Sequence, residues 1–405
     1  MKRSSERFLT THTGSLPRPD DLVRAMFAKE EGIPIDRAAL AARIATAVAE
    51  IVEKQEEAGI DIVNDGELSK PSYATYIKDR LDGFGGESHP LTYQDLVAFP
   101  ELARRVFGDP GRSRRKTPGC NGPIAVRDPK AAETDAGNLR AALAGVKAEE
   151  AFMSAASPGV VSLFFHNGHY ASHEAYLAAI AEAMRQEYET VVNAGFILQI
   201  DCPDLAMGRH IQNAHLTTNE FRKAAGLHIE ALNHALRNIP ADRARVHLCW
   251  GNYEGTHHCD VPLADIIDVV LTAKPAGLSF EAANPRHCAR MERVRDRQTA
   301  GRKSVDPRRH RVEDKLHRAS GADRPAHRPL RRAGRTRERD RRQRLRLRHL
   351  GRSGRGRRPG GLGQARQPRR GRPPRLARIL AVGAAPAASD ARLQVPGRGP
   401  NFAIE

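Results

Sequence analysis

Ile197-Leu198-Gln199-Ile200-Asp201-Cys202-Pro203-Asp204 and Arg245-Val246-His247-Leu248-Cys249 read as two strands, each ending in chemically active residues. Residues 218–236 between them carry a helical period, so the unit is strand, helix, strand. The same alternation extends in both directions. Further strands are expected at Phe8–His12, Ile60–Val63, Pro123–Val126, Val161–Phe165 and Gly277–Glu281. Asp36 is placed to cap a helix in which Leu40, Ile44, Val48, Ile51 and Val52 share a face, with Gly59 where a C-terminal glycine belongs. Residues 172–194, with Tyr176, Ile180, Met184 and Val191 on one side, and 263–272 complete the helical set. Such alternation implies a parallel sheet, and seven strands over this length favour an α/β fold of the (β/α)8 TIM-barrel type, incomplete because the eighth strand is missing.

Composition separates the chain at about residue 287. Its 405 residues are 40% apolar, enough for a barrel core, but the net charge of +18 is −7 before Cys288 and +25 from it onward. Residues 288–405 hold 33 Arg, two Lys and one aromatic residue, Phe402. Arg-Arg, Gly-Arg and Pro-Arg pairs recur there without a period, which reads as a disordered polycationic tail after a globular domain of residues 1–287. Five cysteines, at 120, 202, 249, 259 and 288, do not form a dense disulfide framework and point to a reducing cytoplasm. The N-terminus lacks an apolar export core, and no run reaches the roughly 18 apolar residues of a membrane span.

Residues two apart on a strand share a face, so His247 and Cys249 at a strand's C-terminal end point into a barrel mouth together. Imidazole and thiolate suit zinc, and Glu281 at the end of the next strand supplies a third donor. Packing alone accounts for most buried His and Cys, so the pair gains weight from Glu281. His257, His258 and Cys259 read as a solvated loop. Asp201, and Asp65 with Glu67, end apolar strands where a carboxylate can bind an ammonium group or simply cap a helix. Gly14 and Ser15 follow the first strand and can offer backbone N–H groups to a carboxylate. No residue is singled out as a catalytic acid or base.

His12-Thr13-Gly14-Ser15-Leu16-Pro17-Arg18, Asp65-Gly66-Glu67, Ile200-Asp201-Cys202-Pro203, His247-Leu248-Cys249 and Ser279-Phe280-Glu281, in this order, resemble the successive strand-end motifs of the cobalamin-independent methionine synthase family. Trp250-Gly251-Asn252-Tyr253-Glu254-Gly255 and Glu281-Ala282-Ala283-Asn284-Pro285-Arg286-His287 resemble its short, single-barrel branch. The resemblance covers about residues 7–287. It implies a methyltransferase of methionine biosynthesis, with Zn2+ held by His247, Cys249, Glu281 and a further Cys. It also implies a homocysteine carboxylate on Gly14 and Ser15, with Glu67 and Asp201 near its amino group. A methylated tetrahydrofolate is the implied donor, although Cys202 stands where the long enzymes carry an acid that helps with the folate.

The family's last strand ends in Asp-Cys-Gly, which is absent here. Met291 has the single codon ATG and Glu292 begins with G, so reading one nucleotide later forces Trp. Arg290 permits Glu before it, restoring the family's Glu-Trp. Gln343-Arg344-Leu345-Arg346-Leu347-Arg348-His349 permits Ser-Asp-Cys-Gly-Phe-Gly-Thr in the same frame. The stretch from about residue 288 therefore reads as frameshifted. Two other readings compete. Zinc-dependent alkyl transfer to another thiol, as between an epoxyalkane and coenzyme M, keeps the same donors. A polycation binding nucleic acid through the tail accounts for the charge, but Lys and stacking aromatics are scarce and no recognition module is visible, so no specific nucleic acid is expected as a partner. Resequencing genomic DNA across the codons for Pro285–Met291 is expected to reveal a single-base change that restores Glu-Trp and, downstream, Asp-Cys-Gly; the printed frame, reconfirmed, removes the frameshift.

Overall fold

A computed structural model describes residues 1–108, 116–253 and 255–281. The strands are β1 (Ile62–Asn64), β2 (Phe84–Ser88), β3 (Pro118–Cys120), β4 (Glu150–Ala156), β5 (Ile197–Asp201), β6 (Ala244–Leu248) and β7 (Gly277–Phe280). The larger helices are α1 (Asp20–Glu31), α2 (Arg37–Glu57), α6 (Ala131–Ala142), α8 (His173–Asn193) and α9 (Thr218–Ala235). Shorter ones are α3 (Ile77–Arg80), α4 (Gln94–Val97), α5 (Pro100–Phe107), α7 (Pro158–Phe164) and α10 (Leu263–Val270). Five strands pair in the order β1-β4-β5-β6-β7, all parallel, while β2 and β3 form a separate antiparallel pair. The five-stranded sheet curls into a half-barrel, the form expected of an incomplete (β/α)8 barrel. The tail expected over residues 288–405 lies outside the described residues, as does the domain boundary at 287.

Local signals account for most elements. Asp36 Oδ1 accepts from the amides of Ala38 and Ala39 at 2.9 and 3.0 Å and starts α2, and Gly59 follows its end at φ 76°. Thr217 and Glu220 form a reciprocal capping box at α9. β5 and β6 are buried along their whole length, as strands covered on both faces must be.

Three expected strands are corrected. Val161 to Phe164 are helical, within α7, and Phe165 follows its end: the Ser157 hydroxyl accepts from Val160 N at 2.9 Å and Pro158 occupies the first turn, so capping overrides the β-preference of Val161 and the two phenylalanines. The strand of that region is β4, whose Ala-rich sequence Glu150-Ala151-Phe152-Met153-Ser154-Ala155-Ala156 carries little β-propensity. Phe8–His12 runs beside β1 without a ladder, the Thr10 carbonyl accepting from Ile62 N at 3.0 Å. Pro123–Val126 makes one isolated bridge, Val126 with Leu81, because Pro123 has no N–H to donate.

Between the sheet and its helices lies a buried polar chain. Ser157 Oγ donates to Asp204 Oδ1 at 2.7 Å, Asp204 Oδ2 meets His228 Nδ1 at 2.9 Å, and His228 Nε2 meets His173 Nε2 at 3.0 Å. A Cβ on Gly159 would collide with Asp204 Oδ2 and His228 Nδ1, whereas one on Gly137 meets nothing within 4 Å. Gly159→Ala is therefore expected to destabilise the fold by about 1–3 kcal/mol in urea unfolding. Gly137→Ala, in mid-helix, should stabilise it by roughly 0.5–1 kcal/mol; equal effects from the two substitutions would refute this account of the interface.

Candidate active site

The first half of the site is assembled by Asn64, the last residue of β1, which is fully buried. Its amide donates to the Gly14 carbonyl at 2.9 Å and its oxygen accepts from Gly66 N at 2.8 Å. Gln55 of α2 bonds the Asn64 backbone in both directions and also meets His12 Nε2 at 2.8 Å, while His12 Nδ1 accepts from Gly14 N at 3.2 Å. The tautomer with its proton on Nε2 satisfies both contacts. This network ties the Thr13-Gly14-Ser15 turn to the turn Asp65-Gly66-Glu67.

Gly14 has φ 136°, and a Cβ there would collide with Glu67 Oε1 and Ser154 Oγ. Glycine is required so that a carboxylate can close on the backbone. Glu67 is itself at φ 57°, unusual for a residue with a side chain. Asp65 Oδ1 accepts from its amide at 3.0 Å, and Arg18 Nη2 donates to its carbonyl at 2.8 Å, which hold it there. Glu67 Oε2, Ser154 Oγ and Ser15 Oγ are buried without hydrogen-bond partners among the described residues. Such groups are costly to bury unsatisfied, so together they mark a place that accepts polar ligand atoms.

Asp201 ends β5 on the same side. Gln199 Nε2 donates to Asp201 Oδ1 at 2.9 Å and also to the Thr13 carbonyl, while Gln199 Oε1 accepts from Arg245 Nε at 2.9 Å. Burial, reinforced by the charge of Glu67, pushes the Asp201 carboxyl well above its ordinary range. Burial likewise raises Asp65 to about 6. The structure thus brings Gly14, Ser15, Glu67 and Asp201 to one side of the half-barrel. Ser154, Gln199, Arg245 and Arg18 belong to the same constellation and were missed. Gln199 and Arg245 carried a signal, lying two residues before Asp201 and His247 on their strands; Ser154 was hidden in a strand that was not recognised.

The second half lies one strand over. Asp201 and His247 are register partners, as are His247 and Ser279. His247 Nδ1 faces Ser279 Oγ at 3.4 Å, and burial together with the Arg245 charge lowers its pKa to about 4 against the pull of Glu281. A neutral imidazole is what a metal ligand requires. Cys249 Sγ accepts from Gly251 N at 3.2 Å. The donors are right in kind for zinc, yet among the described residues no group of three His, Cys, Asp or Glu side chains is gathered to hold a metal ion. Cys202 does not join the site: it is buried in the apolar core, its sulfur 3.6 Å from the Ile200 carbonyl and its thiol kept protonated by burial. The loop reading of residues 257–259 needs correction at His257, which is buried and stacks on Tyr253, while His258 is exposed.

His12 is held neutral as well, its pKa lowered to about 4 chiefly by burial. The folded state binds fewer protons there than the unfolded chain between pH 6.5 and 4, so this contribution is present above 6.5 and lost as pH falls through that window. Relative to His12→Gln, the natural chain is expected to lose on the order of 3 kcal/mol between pH 7 and pH 4. Urea titrations at four pH values read this; parallel stability curves for the two proteins would contradict it.

No family model matches the chain. It is 23% identical over 264 residues to a methionine synthase of Sulfolobus acidocaldarius, covering 65% of this chain and 67% of that protein. A methionine synthase of Saccharolobus solfataricus is 24% identical over 255 residues, 60% of this chain and 63% of its own. A 5-methyltetrahydropteroyltriglutamate–homocysteine methyltransferase of Nitratidesulfovibrio vulgaris is 25% identical over 280 residues, 68% of this chain but 31% of its own. The chain thus spans about two thirds of the archaeal relatives and a third of the bacterial one. Among solved structures, a B12-independent methionine synthase from Shewanella sp. W3-18-1 shares the fold, with a TM-score of 0.51, 19% identity and coverage of 68% and 74% of the two chains. The chain is a distant homologue of proteins named methionine synthase, and it shares its fold with the Shewanella protein.

Proposed function

We propose that this chain is an S-methyltransferase of methionine biosynthesis that acts on the thiol of homocysteine, depends on zinc and takes its methyl group from a methylated tetrahydrofolate. The observation that carries the reading is the cluster of buried side chains Glu67, Ser154 and Ser15, whose Oε2, Oγ and Oγ atoms have no hydrogen-bond partner among the described residues, with Asp201 on the strand beside that of His247. An amino acid has the complementary groups: an ammonium for the two carboxylates and a carboxylate for the amides of the Gly14-Ser15 turn.

In this reading Glu67 and Asp201 clamp the substrate ammonium. Burial pushes the Asp201 carboxyl well above its ordinary range, and a cation bound beside it would act in the opposite direction. Gly14 keeps the approach open and Ser15 caps the carboxylate. His247, Cys249 and Glu281 would hold the zinc, and the family's fourth donor, the Cys of Asp-Cys-Gly, is missing from the printed sequence. Zinc, when bound, lowers the pKa of a coordinated thiol, so that a nucleophilic thiolate exists at neutral pH. Positioning the thiol while burial excludes water accounts for the rest of what these side chains contribute. Cytoplasmic localisation accords with this substrate, and no helix among the described residues is long and apolar enough to cross a membrane.

The test is methionine formation from homocysteine and methyltetrahydrofolate by the chain expressed in the restored frame and supplied with zinc; the printed chain, one zinc donor short, is expected to be largely inactive. Glu67→Gln keeps shape and removes one charge, so KM for homocysteine is expected to rise about 10- to 100-fold with kcat less affected. No methionine from a folded, zinc-supplied chain of the restored frame would sink the proposal, and turnover of a different thiol would redirect it to the alkyl-transfer alternative.

A further inference from the structure

Asp95 sits in α4, on the excursion between β2 and β3, and is completely buried. Its hydrogen-bond partners among the described residues lie some 160 residues away, in the loop after β6. Tyr253 donates its hydroxyl to Asp95 Oδ2 at 2.5 Å, His257 N donates to the same oxygen at 3.1 Å, and Thr256 Oγ1 donates to the Asp95 carbonyl at 3.1 Å. Asp95 Oδ1 has no hydrogen-bond partner among the described residues and lies 3.7 Å from His210 Nδ1. His257 in the same loop has φ 53°. A buried carboxylate and a strained non-glycine backbone converge on one loop, a pattern more typical of a functional constraint than of packing.

The geometry leads from Asp95 to Cys249. The Tyr253 ring, held at its hydroxyl end, lies against Gly251, where an added Cβ would stand 2.9 Å from the ring carbons and 3.0 Å from Met207 sulfur. Gly251, at φ 88°, presents the amide that donates to Cys249 Sγ at 3.2 Å. The path is therefore carboxylate to phenol, ring to glycine, and amide to sulfur.

We infer that Asp95 and Tyr253 are positioning residues: a clasp from a distant excursion that fixes the Gly251 amide on the Cys249 sulfur and keeps that sulfur covered. The inference rests on the functional reading only for the use made of the sulfur. Both accepted bonds go to one carboxylate oxygen, so Asp95→Asn can keep them through its carbonyl, and its amide would then face His210. Asp95→Leu and Tyr253→Phe cannot.

The measurement is site-resolved alkylation of the full chain by iodoacetamide, read by peptide mass spectrometry without metal, homocysteine or methyl donor. Cys249 is expected to react about tenfold faster in Tyr253→Phe and in Asp95→Leu, as the loop opens locally. It should react at close to the natural rate in Asp95→Asn, and the buried Cys120 and Cys202 should stay slow in all of them. Tyr253→Phe removes a single oxygen and serves as the reading if Asp95→Leu fails to fold. An unchanged or slower Cys249 in Tyr253→Phe overturns the clasp, and so does a rise shared with Cys120 and Cys202. An inactive restored-frame enzyme with the expected alkylation pattern would count against the functional reading and leave the clasp in place.

Discussion

The side chain of Asn64 is the constraint on which the arrangement turns. One fully buried carboxamide joins the carbonyl of Gly14 to the amide of Gly66. An amide is suited to this because it donates and accepts at once and carries no charge to desolvate. Without it the N-terminal segment, which pairs with β1 through a few bonds rather than a ladder, has no fixed height above the sheet. Gly14, Glu67 and Ser154 would then lose their common point of approach. Gln55 extends the same logic into α2, so a helix on the outside of the sheet registers a turn at its mouth.

Buried charge is concentrated behind this region. Glu187 of α8 receives Arg80 at 3.0 Å and Lys70 at 3.7 Å and accepts from the Tyr76 hydroxyl at 2.7 Å, while Arg80 also pairs with Asp135. The cations hold the Glu187 carboxyl below its usual range in spite of complete burial. Buried ion pairs of this kind add little net stability, but removing one partner strands the other. Their effect is to fix geometry: Lys70 also donates to the Ser154 carbonyl at 2.5 Å, so the network that locks α8 to the sheet reaches the cluster at Ser154.

Much of this was legible in the residues. Parity along β5 and β6 placed Asp201 and His247 at strand ends, and an acid or imidazole after an apolar run is a strong signal because the run itself fixes direction. Ser154 was not legible, since β4 is built from alanines whose strand is imposed by its neighbours' pairing rather than by propensity. Val161, Phe164 and Phe165 misled for the opposite reason, a cap and a proline outweighing side chains that favour strands. Asp95 and Tyr253 could not be paired from the sequence, because nothing local records a hydrogen bond spanning 158 positions.

That distance has a consequence for how the molecule comes into being. Gln199 reaches back 186 positions to Thr13, and the amino group of Met1 meets the Asp242 carbonyl at 3.2 Å, 241 positions on. Contacts this distant in sequence form late, because each must close a long loop before it returns any stabilisation. Residues 10–14 can settle on β1 early, through Thr10 and Asn64, but the bond from Gln199 to Thr13 waits until β5 is in place. The cluster around Gly14 and Asp201 is thus among the last parts to acquire its shape.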